Sequence, residues 1–241
     1  MTKKLLPLFA FMATAALSSS GSVFFQNNGT KEGWPNYPQT PQAKGTISDV
    51  SSPTFHSTSS IKFTQTFVKG YTGRYHSEVD MEGASNTGLD RYFGMTVYLP
   101  AGWPYATDQV NIQQWAGTGP WVIMRIDGPD LEVLFDHLPG LNAKPHIFHN
   151  FPIGTWTRIV THIHSVASGG IFEVWVNGNK VLSQKGNFVP PGNGGKMRWS
   201  TGCYVSGWWK KSSPQGPSTR IVYGTHYRVA SSYAEAEPAN W

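Results

Sequence analysis

Apolar and polar residues alternate along many short stretches of the chain, and no stretch sustains helical periodicity. Alternation of this kind sends successive side chains to opposite faces of an extended strand. It predicts strands at 45–50, 61–67, 74–81, 91–99, 109–115, 121–126 and 131–136. After a loop rich in Pro and His, it predicts more at 157–165, 171–177, 180–184, 203–210 and 221–229. Asn177-Gly178 separates two of these strands and marks a tight hairpin, because a primed turn needs positive φ. Residues 24–44 read as an irregular segment that wraps the domain or frays. Many strands without helices predict an all-β fold, a jelly roll or β-sandwich of two stacked antiparallel sheets. No internal repeat or second domain is visible, so 24–241 reads as one domain.

Three strands carry candidate chemistry. In 74–81, Arg74, His76, Glu78 and Asp80 share one face, opposite Tyr75, Ser77, Val79 and Met81. Four titratable groups in a row are costly unless something wet, charged or catalytic lies over them. The ordinary alternative is a solvated face with salt bridges. In 203–210, Tyr204, Ser206, Trp208 and Lys210 fall opposite Cys203, Val205 and Trp209. A hydroxyl, an indole and an ammonium together suit a groove for acidic sugars; the plain alternative is an amphipathic outer strand. In 110–117, strict alternation puts Asn111, Gln113 and Trp115 opposite Val110 and Ile112, which makes Gln113 the groove residue.

Two further patterns stand out. Glu78-Val79-Asp80-Met81-Glu82 resembles the catalytic strand of retaining β-glucanases of the laminarinase and lichenase type, where two carboxylates act as nucleophile and acid/base. In those enzymes the motif follows a Gly-x-Trp-Pro segment; here Ala101-Gly102-Trp103-Pro104 comes after it. His162 and His164 share a strand face without an evident third metal ligand, so they read as two exposed histidines. His137, His146 and His149 crowd one loop and are candidates to line a groove.

Composition agrees with short strands and turns: 26 Gly, 17 Pro, 14% aromatic and only 14% charged residues in 241. Ten tryptophans offer either faces for sugars or an aromatic core. Residues 1–23 read as a secretory signal, with Lys3 and Lys4 before an apolar run from Leu5 to Leu17. That run is too short to span a membrane, and no other stretch qualifies, so the chain is expected to be secreted and extracellular. Asn28-Gly29-Thr30 is a glycosylation sequon. Cys203 is the only cysteine, which excludes an intrachain disulfide and reads as a small buried apolar residue. The net charge of +5 leans toward an acidic polymer, and no Lys/Arg run of nucleic-acid type is present.

The ordered set of segments is more specific than any one of them. It comprises His76-Ser77-Glu78, Arg91 through Pro104, Gln114-Trp115-Ala116-Gly117, Gly154 through Arg158, Phe172 through Gly178, and Tyr204-Val205-Ser206-Gly207-Trp208-Trp209. Together, over residues 61–229, they resemble the β-jelly-roll polysaccharide lyases, in particular the fungal glucuronan lyases of polysaccharide lyase family 20. The resemblance implies a concave groove and endo-cleavage of β-1,4-linked polyglucuronic acid by β-elimination, leaving an unsaturated uronate. It departs from related jelly-roll lyases in three places. They carry Arg-x-Glu at His76-Ser77-Glu78, Gln-x-His at Gln114-Trp115-Ala116, and a final Tyr where this chain has Trp209.

Carried over residue by residue, the resemblance assigns catalysis to His76, Gln114 and Tyr204, with Tyr223 as the alternative tyrosine. It favours Gln114 over Gln113, and a β-bulge at that pair would reconcile it with the alternation. Arg74, Gln113, Trp115, Arg125, Trp208 and Lys210 are the expected substrate-binding residues. Glu78 is expected to orient His76 or pair with Arg74. No cofactor is required for the chemistry; a structural calcium would be compatible, but no ligand cluster names it. The expected partner is an acidic polysaccharide, with no nucleic acid or membrane, and the chain is expected to be a monomer. Two other classes stay open: a retaining glucanase using Glu78 and Glu82, and a non-catalytic carbohydrate-binding sandwich.

Overall fold

The computed structural model describes residues 21–35, 41–136, 138, 145–190 and 192–241. Most of the expected signal segment and His137 lie outside the described residues. The strands are β1 (Val23–Asn27), β2 (Thr46–Val50), β3 (Ser60–Thr66), β4 (His76–Asn86), β5 (Asp90–Tyr98), β6 (Val110–Ala116) and β7 (Pro120–Asp127). They continue with β8 (Asp130–Phe135), β9 (His146–Phe148), β10 (Trp156–His164), β11 (Gly170–Val176), β12 (Asn179–Gly186), β13 (Lys196–Tyr204) and β14 (Thr219–Ala230). The α-helix among the described residues is one turn, Tyr233–Ala236.

Two antiparallel sheets result, as the alternation predicts. An eight-stranded sheet runs β12-β11-β10-β5-β14-β3-β2 with β1 beside β14, and a six-stranded sheet runs β4-β13-β6-β7-β8-β9. The Asn177-Gly178 turn joins β11 to β12 with φ of 50° and 86°, the left-handed geometry that tight hairpins require. Between the sheets lies an aromatic core. Phe93 of the larger sheet meets Trp115 at 5.8 Å and Trp199 at 5.3 Å of the smaller, each edge to face. Trp34, Trp103, Trp121 and Trp208 are also buried, so most tryptophans build the core and do not face a ligand. Among the described residues no helix is long and apolar enough to cross a membrane.

Two elements and one histidine differ from the sequence expectation. The strand expected at 203–210 ends at Tyr204, and Ser206–Trp208 forms a 3-10 turn. Val205 N–H donates to Tyr75 O at 3.1 Å and Gly207 N–H to Gln109 O at 3.2 Å, which turn the chain out of the sheet. A Cβ on Gly207 would lie 2.6 Å from Gln109 N, so only glycine allows this close pass. The strand itself begins earlier, at Lys196, where Met197 and Trp199 face the core. At the start of the chain, β1 replaces part of the expected irregular segment; Val23, assigned to the leader, is its first residue and pairs with Ala230. Finally, His162 is buried and not exposed, held between Glu173 Oε2 at 2.9 Å and Asp90 Oδ1 at 2.5 Å.

Candidate active site

The outer face of the six-stranded sheet carries the site. β4, β13 and β6 lie side by side there, and the register pairs Tyr204 with His76 and Ser200 with Gln114. Alternation along β4 works as expected: Tyr75, Ser77 and Val79 are buried in the core, while His76, Glu78 and Asp80 turn outward. His76 and Tyr204 stack with ring centroids 3.8 Å apart and planes at 28°. Glu78, only 2% exposed, sits beneath them. Its Oε2 lies 2.7 Å from His76 Nδ1, and its Oε1 accepts from Gln114 Nε2 at 2.6 Å. A carboxylate can only accept, so it holds the proton on Nδ1 and turns the Gln114 amide nitrogen toward itself. His76 Nε2 has no hydrogen-bond partner among the described residues. His76, Gln114 and Tyr204 thus converge on one cavity of about 230 Å³.

A β-bulge decides which glutamine reaches that cavity. Asn111 pairs with Arg125, yet Gln113 pairs with Met124, so β6 has one extra residue at Ile112. Asn111 and Gln114 both line the cavity as a result, although they are three apart. Gln113 is turned inward and fully buried, with Nε2 2.5 Å from Met95 Sδ. The bulge expected at the Gln113-Gln114 pair is present one residue earlier, and Gln113 is not a groove residue.

Other expected residues divide. Arg74 and Arg125 line the cavity. Arg125 is bonded to Glu132 through Nε at 3.0 Å and Nη2 at 2.6 Å, whereas Arg74 is exposed and lies 5.7 Å from the Trp209 ring. Trp115 is not at the site: it is fully buried, because the bulge and the pleat aim it between Phe93 and Phe172. Trp208 is buried too, donating from Nε1 to Asp108 Oδ2 at 2.8 Å. The 3-10 turn exchanges the two indoles, so that Trp209, 45% exposed, lines the cavity where Trp208 was expected. Lys210 lies outside the cavity with Nζ 4.6 Å from the Trp209 ring, its φ of 59° unusual for a residue other than glycine. Tyr223 belongs to β14 in the opposite sheet, against Tyr98, and is no alternative to Tyr204.

Alternation did not single out Arg198, although Met197 and Trp199 on either side mark it as outward. Its guanidinium lines the cavity 3.6 Å from Asp80 Oδ2 and 3.8 Å from Glu82 Oε1. The acidic triplet is therefore divided: Glu78 serves His76 and Gln114, while Asp80 and the exposed Glu82 turn to Arg198. Of the loop histidines, His146 and His149 both meet Asp130 Oδ2 at 3.0 Å and lie outside the cavity.

Burial raises the Tyr204 phenol above its ordinary range; Arg74 pulls it down and Glu78 pushes it up. The hydroxyl keeps its proton at neutral pH. Burial also pushes Asp80 up to about 6, against a hydrogen bond from Ser200. Next to Tyr204, Cys203 is fully buried, and burial raises its thiol far above the usual value. Among the described residues, Asp127, Glu132 and His146 bring ligand atoms within 4.8 Å of one another. An imidazole beside two carboxylates does not match the all-oxygen shell that calcium takes, and Glu132 already pairs with Arg125.

Comparison with known proteins bears on the family and the fold. A family profile described as polysaccharide lyase matches residues 26–226. Comparison with curated proteins finds no match. Among solved structures, an endo-β-1,4-glucuronan lyase from the fungus Trichoderma reesei is similar with a TM-score of 0.80 at 24% identity, covering 91% of this chain and 100% of that one. The cellulose-induced protein Cip1 is similar at 0.57 and 15% identity, covering 86% of this chain and 97% of that one. The alginate lyase AlgAT5 of polysaccharide lyase family 7 is similar at 0.55 and 12% identity, covering 85% and 92%. At these identities the structures speak for the fold, and the profile match for the family: this chain belongs to the polysaccharide lyases.

Proposed function

We propose that the protein is a secreted lyase that cleaves β-1,4-linked polyglucuronic acid by β-elimination. The observation that carries this reading is the cluster in which Glu78 holds both His76 and Gln114 while Tyr204 stacks on His76. Elimination on a uronate has three needs: the carboxylate must be neutralised so that H5 becomes acidic, a base must take H5, and an acid must protonate the departing O4. Gln114 supports the first with the N–H that Glu78 does not use, aided by Arg74 and Arg198 beside it. His76 Nε2, without a partner among the described residues, takes H5. Tyr204, whose hydroxyl burial keeps protonated, gives its proton to O4.

In β-1,4-glucuronan, H5 and O4 lie on the same side of the ring. Base and acid must then approach together, which suits two stacked rings on neighbouring strands. The overlap with a structure described as an endo-β-1,4-glucuronan lyase supports this polymer over alginate.

The test is incubation of the purified protein with polyglucuronate, polymannuronate and a neutral β-glucan, following the ultraviolet absorbance of the conjugated uronate. Absorbance should rise with polyglucuronate. Product from polymannuronate alone would overturn the substrate, and reducing ends without absorbance would overturn elimination. Secretion is checked by expressing the full chain in a fungal host and finding it in the medium with the apolar leader removed before β1.

A further inference from the structure

Beyond Trp209 the surface holds a further cavity, of about 360 Å³, which Lys69, Lys210 and Lys211 line. No acidic residue lines it, and none of the three lysines makes an ion pair among the described residues. All three are exposed. Like charges gathered without counter-charges repel one another, and an anion bound between them relieves that repulsion.

The cavity also has a flat aromatic wall. Tyr71 lines it, half-buried, its ring 5.2 Å from Tyr75 in an edge contact. Tyr75 is itself buried against Phe67 and Trp208, so Tyr71 stands on a fixed aromatic stack. Gly73 leaves the space for it: a Cβ there would collide with Tyr71 Oη. A fixed ring beside ammonium groups suits an anionic sugar, whose face stacks while its carboxylate pairs.

Continuity with the catalytic cavity runs through one indole. Trp209 lines the first cavity, with the Arg74 guanidinium 5.7 Å and the Lys210 ammonium 4.6 Å from its ring. Lys210 in turn lines the second. Cations and aromatic rings therefore recur from Arg74 to Tyr71, as a polymer bearing one carboxylate on every sugar would require.

We infer that the cavity of Lys69, Lys210, Lys211 and Tyr71 is a distal subsite that binds a uronate of the same polymer away from the cleaved bond. This rests on the lyase reading above. The variants to compare are Lys69→Ala/Lys211→Ala and Lys69→Arg/Lys211→Arg, which leave the catalytic cavity untouched. On polyglucuronate at low salt, the alanine pair should raise KM about threefold to tenfold with kcat unchanged, and the arginine pair should restore it. The difference should shrink at high salt. An unchanged KM for a folded alanine pair would overturn the subsite. Electrophoresis through a gel containing polyglucuronate separates this outcome from failure of the functional reading. If the wild type forms no unsaturated product, the lyase assignment falls, yet stronger retardation of the wild type than of the alanine pair still supports the subsite. Equal mobility of the two overturns it.

Discussion

On the proposed mechanism the ring and the hydroxyl of Tyr204 do separable work, and the substitution Tyr204→Phe separates them. Polymer binding should survive while kcat falls at least about a hundredfold, because the proton for O4 is gone. Gln114→Ala should lower kcat on the order of a hundredfold, since the developing negative charge loses a donor. Gln113→Ala is the contrasting variant: its side chain lies in the core against Met95, so it should cost stability and leave the turnover of folded protein near normal. Glu78→Gln tests the support beneath them. An amide cannot accept from both His76 and Gln114 without turning its own nitrogen toward one, so kcat should fall about tenfold or more. Glu82→Gln, altering an exposed side chain that leans on Arg198, should retain substantial activity. At this scale the sequence was legible wherever alternation held. His76 and Glu78 followed from β4 alone, but Gln114 needed the family resemblance, because one extra residue at Ile112 inverts the count. Trp115 and Trp208 were misplaced for a common reason: an indole suits a sugar and a core equally well, and only packing decides.

Among the elements, the segment after β13 forms one wall of the cavity through Ser206 and Trp209. Asp108 holds it down, accepting from Trp208 Nε1 at 2.8 Å and from Gln215 N at 2.6 Å, with Arg220 Nη2 3.6 Å away. Arg220 is 1% exposed and also donates to Gln215 O at 3.0 Å. Asp108→Ala would leave that guanidinium buried without its counter-charge and two donors without an acceptor. It should lower unfolding free energy by about 3 kcal/mol or more, read by urea titration. KM should also rise, because Trp209 and Ser206 ride on the same segment. Strand positions were legible to within a few residues for nearly every element whose alternation is regular. Those that escaped have little pattern to offer: β9 has three residues, and β1 depends on pairing with β14 at the far end of the chain. The turn after Tyr204 escaped because its residues continue to alternate, while Gly207 allows a backbone approach that no sequence pattern displays.

Over the whole molecule, two buried groups oppose each other in acid. Burial pushes Asp80 up to about 6, so its contribution to stability is fully present below the unfolded value of 3.8 and is lost as pH rises through 6. Burial, with help from His56 and Arg228, pushes His226 down to about 4 from 6.5. The unfolded chain therefore protonates this histidine first, and stability is lost as pH falls through that window. Each shift corresponds to about 3 kcal/mol, with opposite sign. These two contributions should thus largely cancel between pH 6.5 and 4 in the wild type. Asp80→Asn should make acid destabilising, and His226→Asn, which keeps a residue tolerant of the 52° φ, should make acid stabilising. Thermal melts across that range read all three slopes, and parallel profiles would contradict the assignment. The all-β class and the two-sheet arrangement were legible from alternation and turn chemistry, whereas the pairing order was not, since it is set by contacts between distant segments. The lone thiol of Cys203, sealed beside Tyr204 on β13, makes the protein its own conformational reporter. Iodoacetamide should leave the native chain unmodified, and its slow incorporation should time the opening of the strand that carries Tyr204.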